Sequence, residues 1–388
     1  MAAAVQMPPH LSHVPFDAEV FDALVGDFRS GRLDRLAAPL AAAPRPLAQP
    51  PEDLSAGADP GRVAELATEG ARAMARGSLA VLVMNGGMAT RFGGTAKGVF
   101  PIAEDTPDVS FLAVKIAQAK AAGGRAGPIP FVAMQSFATE APTREHLAAL
   151  GDPGVPIHTF LQSVLPRVTP DGIPLATEAG ADAWPDTVLY AAPGHGDTLG
   201  RLRRSGVLAA LRRAGVEHVL VSNVDNLGAT PDPAVFGAHL AAVARGAEMT
   251  VEVVAREPGD AGGCVAVHPE TNRPTIIEGF RLPAGTDLSV VPHFNTNTLW
   301  FRLDALDREI PLDWFAVRKT VDVAGEGARK VVQFEQLIGQ AADHLAAAFV
   351  QVERDRRFLP VKTRQEWRAR RPALLAAARA AGLDVPTA

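Results

Sequence analysis

Short apolar runs recur along the middle of the chain, separated by stretches in which polar and apolar residues alternate at helical spacing. Four runs have the length and composition of buried strands: Leu79 to Met84, Pro130 to Met134, Val219 to Asn223 and Met249 to Val254. Strands that alternate with helices are typical of a mostly parallel sheet with helices on both faces. The hydrophobic pattern therefore predicts an α/β fold.

Two helices and a linker are predicted before the first of these strands. Apolar residues at helical spacing indicate one helix over Phe16 to Leu40 and a second over Arg62 to Arg76. Between them, Ala41 to Pro60 is rich in Pro and Ala, a composition that favours an exposed linker. We therefore predict an N-terminal helical segment with its linker over residues 1–76.

The main domain is predicted over residues 77–363. Its second half contains three shorter apolar runs, which indicate a mixed insertion: Val265 to His268, Thr275 to Glu278 and Asn297 to Arg302. Residues 364–388 are predicted to form a short C-terminal helix, with its Ala- and Arg-rich part over Gln365 to Ala381.

Charge and cysteine content exclude several classes of protein. The 388 residues carry a formal net charge of −5, so no broad basic surface for nucleic acid is expected. The single cysteine, Cys264, excludes an intramolecular disulfide and fits a reducing compartment; we expect it to pack inside a strand. No signal peptide and no apolar run of about 18 residues is found, so a cytoplasmic protein without a membrane span is predicted.

The clearest candidate site follows the first strand, in the sequence LVMNGGMATRFGGTAK. Paired glycines let a ligand lie against the backbone, and successive N–H groups in such a loop bind anions. The cations Arg91 and Lys97 follow within reach, a combination that favours a nucleoside triphosphate. Neither the P-loop pattern nor the dinucleotide-binding glycine pattern is present. A glycine-rich loop that only joins a strand to a helix is the alternative.

A carboxylate, Asp225, is expected at the carboxyl end of the strand Val219 to Asn223. Ligands bind at this edge in open α/β sheets, and Mg²⁺ prefers one or two carboxylates together with phosphate oxygens. The sequence therefore predicts Asp225 as a Mg²⁺ ligand. The alternative is a turn, since Asp225 and Asn226 precede a glycine.

Three further segments combine groups that could bind a phosphorylated sugar. His195 lies between two glycines in APGHGDTL, where it could donate to a hydroxyl or a phosphate, although an isolated histidine is often structural. Asn295, Thr296 and Asn297 place amide and hydroxyl groups at the start of a strand, where they could bind sugar hydroxyls or cap a turn. Lys319 is a surface charge unless a triphosphate lies beside it.

Together these segments resemble the UTP–sugar-1-phosphate uridylyltransferases, the family of UDP-glucose and UDP-N-acetylglucosamine pyrophosphorylases. The resemblance extends from Leu82 to Thr363 and rests on segments in the family's order: NGGMATRFGGTAKG, MQSFAT, TFLQSVLPR, PGHGD, SNVDNLGATPDP, IIEGF, FNTNTLW, VVQFEQLIG and RFLPVKT. The PGHGD, SNVDNLGAT, FNTNTLW and RFLPVKT segments look most like the UDP-glucose branch, whereas the opening loop looks more like the N-acetylglucosamine branch.

The resemblance implies a nucleotide-diphospho-sugar transferase fold, which is Rossmann-like, and a role for each matching residue. The residues implied to bind UTP are Met84, Asn85, Gly86, Gly87, Lys97, Gln162 and Gly194. Those implied to bind the sugar phosphate are His195, Asn223, Glu278, Asn295, Thr296 and Asn297. Lys97, Arg91, Lys319 and Asp225 are the implied catalytic residues, and Asp225 is the implied Mg²⁺ ligand.

Three features depart from the family's pattern. Ala89 stands where the loop usually has glycine, and Gln135 stands where asparagine is usual. About 25 residues follow Thr363, so we expect no C-terminal β-helix domain, and the oligomeric state stays open.

The reaction implied is UTP plus a sugar 1-phosphate, glucose 1-phosphate first, giving a UDP-sugar and pyrophosphate. N-acetylglucosamine 1-phosphate, or a broad range of sugars, is the alternative within the family. A UDP-sugar-dependent glycosyltransferase would not need both Lys97 and Lys319. A nucleotide-sugar sensor would not need these lysines together with Asp225. Partners other than small molecules are not expected, neither nucleic acid nor membrane.

Overall fold

The computed structural model describes residues 5–89, 95–125, 127–178, 180–260, 262–323 and 327–387. The strands are β1 (Glu52–Leu54), β2 (Leu79–Met84), β3 (Met88–Ala89), β4 (Thr95–Ala96), β5 (Phe131–Gln135), β6 (Ile157–Leu161), β7 (Leu165–Pro166), β8 (Tyr190–Ala191), β9 (His218–Asn223), β10 (Met249–Ala255), β11 (Cys264–Val267), β12 (Pro274–Ile277), β13 (His293–Arg302), β14 (Phe315–Val323), β15 (Gly327–Glu335) and β16 (Ala347–Val352).

The α-helices connect these strands and flank them. They are α1 (Ala18–Arg29), α2 (Arg32–Leu36), α3 (Pro60–Ala75), α4 (Phe111–Ala121), α5 (Glu140–Leu150), α6 (Asp186–Leu189), α7 (Asp197–Arg204), α8 (Val207–Arg213), α9 (Pro233–Ala244), α10 (Ala341–His344), α11 (Arg354–Arg357), α12 (Arg364–Ala369) and α13 (Arg371–Ala380).

A mixed, mostly parallel sheet forms the centre of the molecule. Its strand order is β1-β16-β10-β13-β9-β2-β5-β6, and every neighbouring pair is parallel except the two pairs that β13 makes. All six residues of β2 are buried, as expected for a strand covered on both faces. Helices α3, α4, α9 and α13 cover one face, and α7, α8 and α10 cover the other. The predicted α/β fold is confirmed.

Strand β13 is antiparallel to both of its neighbours, β9 and β10. Because Leu299 pairs with Val221, the beginning of β13 lies at the carboxyl end of β9. The mixed insertion predicted from the shorter runs is therefore present: β11 and β12 pair with each other, and β11 contacts β13 at Phe294. This arrangement brings Asn295 to the sheet edge at which a ligand is expected.

The N-terminal segment packs closely on the main domain. The helix predicted over Phe16 to Leu40 is two helices, because Gly31 adopts a left-handed φ of 70° between α1 and α2. Most of the predicted linker is exposed, but β1 lies within it and pairs with β16. Helix α3 crosses α9 at close range: a Cβ on Gly70 would lie 1.9 Å from the carbonyl oxygen of Pro233.

The helix predicted over Gln365 to Ala381 is also divided. Helix α12 begins with a capping box formed by Thr363 and Glu366, and α13 follows Arg370 directly. Trp367 donates from Nε1 to the carbonyl oxygen of Pro101 at 3.0 Å, which fixes this end of the chain on the main domain. Within the described residues, no helix is both long and apolar enough to cross a membrane.

Two buried histidines make the stability of the fold depend on pH. Nδ1 of His218 lies 3.0 Å from Nε2 of His239, and burial lowers the pKa of His218 to about 4. The pKa of a histidine in an unfolded chain is near 6.5, so the unfolded chain binds more protons between pH 4 and 6.5. The free energy of unfolding should therefore decrease as the pH falls through this window, by up to about 3 kcal/mol for His218.

The measurement is urea unfolding at pH 7 and pH 4.5. We expect His218→Gln to lose less stability between these two values than the unmodified protein does. The control variant is His344→Gln, at an exposed position, which should keep the original pH dependence. If His218→Gln and the unmodified protein lost equal stability between pH 7 and pH 4.5, His218 would not be the source of the pH dependence.

Candidate active site

The carboxyl ends of β2, β5 and β9 bring several predicted residues to one edge of the sheet. Met84 at the end of β2 pairs with Met134 on one side and with Asn223 on the other. The glycine-rich loop therefore leaves the sheet between these two strands. Asn223 follows the buried run of β9 and is itself only partly buried. This is the edge at which ligands bind in open α/β sheets.

Asn85 is a buried residue that packs against the end of the glycine-rich loop at Gly98. Its side chain is fully buried, and its Nδ2 donates to Oγ1 of Thr143 at 3.0 Å. A Cβ on Gly98 would lie 2.1 Å from Oδ1 of Asn85, so a glycine is required at that position. The side chain of Asn85 is thus part of the scaffold; contact of its backbone with a nucleotide stays a prediction.

Three residues predicted to bind UTP lie together. Nε2 of Gln162 donates to the carbonyl oxygen of Gly194 at 2.7 Å, and a Cβ on Gly86 would lie 2.2 Å from Oε1 of Gln162. Ser136, which belongs to the MQSFAT segment but had no predicted role, donates to the carbonyl oxygen of Gly86 at 2.8 Å. An amide side chain between two glycine backbones can hold a flat ring that presents both donors and acceptors.

The two ends of the glycine-rich loop also meet. Strands β3 and β4 pair, and the backbone N–H of Lys97 donates to the carbonyl oxygen of Gly87 at 3.2 Å. Arg91, a predicted catalytic residue, lies in the segment between these strands, outside the described residues. The same holds for Gly93 and Gly94.

Lys97 forms an ion pair with Asp225. Nζ of Lys97 contacts Oδ2 of Asp225, and both side chains are largely shielded from solvent. Two residues that are 128 positions apart thus place a cation and a carboxylate beside the glycine-rich loop. The carboxylate partly neutralises the cation, and a bound phosphate would compete for the same ammonium group.

Buried polar side chains hold the loop that carries Asp225. Nδ2 of Asn226 donates to the carbonyl oxygen of Arg357 at 3.1 Å, and its Oδ1 accepts from the N–H of Leu359 at 2.8 Å. From α4, Lys115 donates to the carbonyl oxygen of Ala229 at 2.7 Å. Asn226 is therefore a structural residue, and the loop has little freedom to move.

Lys115 is a charged residue that sequence reasoning missed. It is 1% exposed, and burial together with the charge of Arg357 lowers its pKa to about 7, although Asp225 and Glu252 oppose the shift. Its Nζ also lies 3.4 Å from Oγ of Ser222 in β9. The signal in the sequence is a lysine between Val114 and Ile116, on a helix that is otherwise apolar at these positions.

His195 is held in one orientation by the backbone. The N–H of Ile338 donates to its Nδ1 at 2.9 Å, so the neutral ring carries its proton on Nε2. Burial lowers the pKa of His195, although Glu335 opposes the shift. At neutral pH the ring is therefore uncharged and can donate one hydrogen bond from Nε2, as the sugar-phosphate role requires.

Both the backbone conformation at position 194 and the close packing around it require glycine. Its φ is 76°, and a Cβ would lie 2.6 Å from the carbonyl oxygen of Gln336. Gly206 has a similar φ of 81°, but nothing lies within 4 Å of its Cβ position. We expect Gly194→Ala to lower the free energy of unfolding by about 1–3 kcal/mol more than Gly206→Ala does.

Denaturant unfolding of the two variants tests this expectation, because both have the strained φ and only one has the clash. Equal destabilisation would mean that the backbone of Gln336 moves away at little cost. The structure then would not fix the position of His195 in the way described above.

The predicted sugar-binding residues lie where β13 begins. Nδ2 of Asn297 is 3.4 Å from Oδ1 of Asn223, across the β9–β13 pair. Asn297 has a left-handed φ of 58° at a β-bulge opposite β10, a strained conformation for a residue other than glycine. Such bulges redirect side chains, and backbone strain is found frequently at functional sites.

Thr296 does not join this group. Its side chain is buried, and its hydroxyl donates to the carbonyl oxygen of Glu252 at 2.8 Å. The hydroxyl is thus committed to the sheet, and the contact of Thr296 with the sugar stays a prediction. Alternation along a strand could not reveal this, because the bulge inserts residues that have no partner on β10.

The side chains of Glu278 and Asn295 both lie beside Gly263. A Cβ on Gly263 would lie 3.4 Å from Oε1 of Glu278 and 3.6 Å from Nδ2 of Asn295. Burial raises the pKa of Glu278. A cavity of about 600 Å³ opens beside Glu278 and is also lined by Phe280 and other residues of the 256–288 region. An acceptor, a donor and an open space are thus adjacent, as a sugar site needs.

Lys319 has a different ion-pair partner from Lys97. It is on β14 in the hairpin that β14 and β15 form, it is half-exposed, and its Nζ lies 3.3 Å from Oε1 of Glu335. The side chain of Glu335 also borders the Cβ position of Gly194. Lys319 is therefore tethered near the loop that presents His195. No hydrogen bond or ion pair joins it to Asp225 in the described part of the chain.

Comparison with known proteins decides the family. The sequence model of a family described as UTP–glucose-1-phosphate uridylyltransferase matches residues 57–379. The chain belongs to this family. A probable UTP–glucose-1-phosphate uridylyltransferase of Schizosaccharomyces pombe is 32% identical over 304 residues, which are 74% of this chain and 56% of the relative. The enzyme of Saccharomyces cerevisiae is 32% identical over 300 residues, 74% of this chain and 57% of the relative.

Solved structures agree on the fold of this uridylyltransferase family member. A UDP-N-acetylglucosamine pyrophosphorylase from Trypanosoma brucei superposes with a TM-score of 0.76 at 19% identity, covering 94% of this chain and 78% of that one. A mutant UDP-glucose pyrophosphorylase from Leishmania major, in complex with UDP-glucose, superposes with a TM-score of 0.66 at 26% identity, covering 90% and 76%. The chain spans less than two thirds of the length of the curated relatives given above.

Proposed function

We propose that this protein transfers the uridylyl group of UTP to a sugar 1-phosphate, with glucose 1-phosphate as the acceptor. The observation that carries the proposal is the grouping of three predicted clusters at one sheet edge. Gly86, Gln162 and Gly194 form the nucleotide side, Lys97 with Asp225 forms the charged centre, and Asn223 with Asn297 begins the sugar side. The resemblance of the chain to UTP–glucose-1-phosphate uridylyltransferases supports the same reaction.

The proposed step is an in-line displacement at the α-phosphorus of UTP. An oxygen of the sugar phosphate forms a bond to this phosphorus, while the bond to the oxygen bridging the α- and β-phosphorus breaks. That oxygen leaves with the electron pair as part of pyrophosphate. The nucleophile is already ionised at neutral pH, so no general base is required. The main obstacle is repulsion between the two anions.

Lys97 is proposed to offset the charge that develops on the leaving group. Its ammonium is largely shielded from solvent and so interacts with a phosphate more strongly than an exposed lysine would. Lys319 would add a second cation from the β14–β15 hairpin, released from Glu335 when a phosphate approaches. His195 would donate from Nε2 to the sugar phosphate. Holding both substrates in line supplies the remaining advantage.

Mg²⁺ is part of the proposal, with Asp225 as its protein ligand. The donor set fits this ion: one carboxylate at the site edge, with phosphate oxygens and water to complete the shell. Within the described residues, no group of three or more His, Cys, Asp or Glu side chains could form a protein-only metal site. When bound, the ion would neutralise phosphate charge.

A UDP-N-acetylglucosamine pyrophosphorylase is the second candidate, because of the cavity of about 600 Å³ beside Glu278. An acetamido group could occupy it. A cytoplasmic location also belongs to the proposal and is supported by the buried free thiol of Cys264.

The test is pyrophosphate release from UTP and Mg²⁺ with glucose 1-phosphate, galactose 1-phosphate and N-acetylglucosamine 1-phosphate in parallel. Release with glucose 1-phosphate alone is the expected result. Release with N-acetylglucosamine 1-phosphate alone would support the second candidate. No release with any of the three would overturn the proposal and favour a transferase that consumes UDP-sugars or a sensor of them.

A further inference from the structure

A second cavity, of about 530 Å³, lies behind the loop that presents His195. Its walls come from the start of α1, from α7 and from the segment 306–314. A cavity of this size can hold a small phosphorylated compound. None of the residues assigned above to UTP or sugar binding lines it, so it is distinct from the candidate active site.

The cavity has one strongly basic wall. Four arginines line it, Arg201, Arg203, Arg204 and Arg308, against three carboxylates, Asp17, Asp197 and Glu309. Two of the arginines have carboxylate partners: Arg203 lies 3.9 Å from Glu309, and Arg308 lies 2.7 Å from Glu248. The other two carboxylates of the cavity accept hydrogen bonds from the protein. Asp17 accepts from the N–H of Val20 as the cap of α1, and Asp197 accepts from both the N–H and the hydroxyl of Ser163.

Two of these arginines keep most of their donors available. Arg201 donates from Nε to the carbonyl oxygen of Leu161 at 3.0 Å. Arg204 donates no hydrogen bond within the described chain; its nearest carboxylate oxygen belongs to Asp197, at 3.9 Å. Burial and the charge of Arg204 both lower the pKa of Arg201, whereas Asp197 opposes the shift. Two neighbouring guanidinium groups with so few acceptors would be stabilised by an anion.

A glycine makes room for this arrangement. A Cβ on Gly200 would lie 2.9 Å from Nη2 of Arg204 and 3.3 Å from its Cζ. The guanidinium therefore folds back over α7 beside Gly200, at the border of the cavity, and the Arg204 side chain stays half-exposed. The opposite wall is apolar and includes Phe16, Leu165 and Trp314.

The cavity also touches the elements that hold His195. Gly196 and Gln336 line it, and the N–H of Gly196 donates to the carbonyl oxygen of Gln336 at 2.8 Å. A Cβ on Gly196 would lie 2.6 Å from the carbonyl carbon of Gln336, so the two backbones are in close contact. A molecule bound in the cavity would therefore contact both the loop that carries His195 and the segment around Gln336 that packs against it.

We propose that the cavity binds a small phosphorylated compound with an apolar or aromatic part, and that the bound compound regulates the active site through the His195 loop. The phosphate would lie against Arg201 and Arg204, and the apolar part against Phe16 and Trp314. The binding half of this proposal is independent of the reaction proposed above, whereas the regulatory half rests on it.

The probe is phenyl phosphate, measured by titration calorimetry against inorganic phosphate and phenol, which carry only one of the two features. We expect phenyl phosphate to bind more tightly than either. The variant Arg201→Gln/Arg204→Gln should raise its Kd about tenfold or more. The control Arg72→Gln/Arg76→Gln removes the same charge from the other face of the molecule, at α3 and its end, and should bind as before.

Gly200→Ala provides a test without any change of charge. Alanine favours the helix, so the fold is kept, but its Cβ must displace the guanidinium of Arg204. We expect this variant to bind phenyl phosphate more weakly than the unmodified protein does. In the unmodified protein, binding should change the fluorescence of Trp314, and the variant Trp314→Phe should lose this change. Absence of binding, or equal binding by the arginine and control variants, would overturn the site. Binding without any effect on pyrophosphate release by an active enzyme would overturn its regulatory role.

Discussion

Replacing Lys97 by alanine should lower kcat for pyrophosphate release by about 10²–10³, the loss expected when one preorganised group that stabilises developing charge is removed. The KM for the sugar 1-phosphate should change much less, because Lys97 pairs with Asp225 beside the nucleotide loop and not with the sugar residues. Steady-state kinetics with both substrates varied separates the two parameters.

Lys120→Ala is the matched control. Lys120 lies near the end of α4 and is exposed, so its removal changes the net charge equally without touching the site. Its kcat should stay within a factor of about two of the original value. Normal turnover in Lys97→Ala, with a normal unfolding curve, would reject the catalytic role of this residue.

Replacing Arg357 by methionine should lower the free energy of unfolding by about 3–5 kcal/mol, because it leaves a buried carboxylate without its charge partner. Arg357 contacts both carboxylate oxygens of Glu252, at 2.6 and 3.0 Å, and the side chains are 7% and 0% exposed. Arg357 also donates to the hydroxyl of Thr230 at 2.7 Å, so the loop that carries Asp225 should loosen as well.

Denaturant unfolding measures the effect, and a second variant separates the charge from the packing. Adding Glu252→Gln to Arg357→Met removes the unpaired charge, so part of the stability should return. Trp300 donates to Oε1 of Glu252 at 2.9 Å, and the glutamine can keep this bond. A double variant that is no more stable than Arg357→Met would show that packing, and not the buried charge, dominates the loss.

Sequence patterns predicted the central strands that are buried on both faces and missed β6 and the β14–β15 hairpin. The runs that became β2, β5, β9 and β10 are apolar almost throughout. By contrast, β6 contains His158 and Thr159, and the β14–β15 hairpin carries consecutive polar residues, 318–320 and 329–330, in its more exposed part. Short or polar strands form because adjacent strands in the sheet pair with them, and the sequence does not show which strands will be adjacent.

Candidate site residues could be named from the sequence where the neighbouring residues indicate their role. They were missed where their surroundings depend on contacts between residues far apart in the sequence. The glycines, Lys97 and Asp225 follow from strand ends and turn residues. The tether between Lys319 and Glu335 and the burial of Lys115 depend on how β14 and α4 are placed in the fold. The burial of the Thr296 hydroxyl likewise depends on a contact across the bulge, with the carbonyl oxygen of Glu252.

Strand β13, which is antiparallel to both β9 and β10, has a consequence for how the protein is made. During synthesis, β9 and β10 emerge before β13, which must then enter between them. Any N-terminal fragment that ends before His293 exposes the apolar edge of β9, a surface that invites pairing with other chains. Fragments made for expression should therefore extend past Arg302, and the need for chaperones should be greatest while residues 224–302 are being translated.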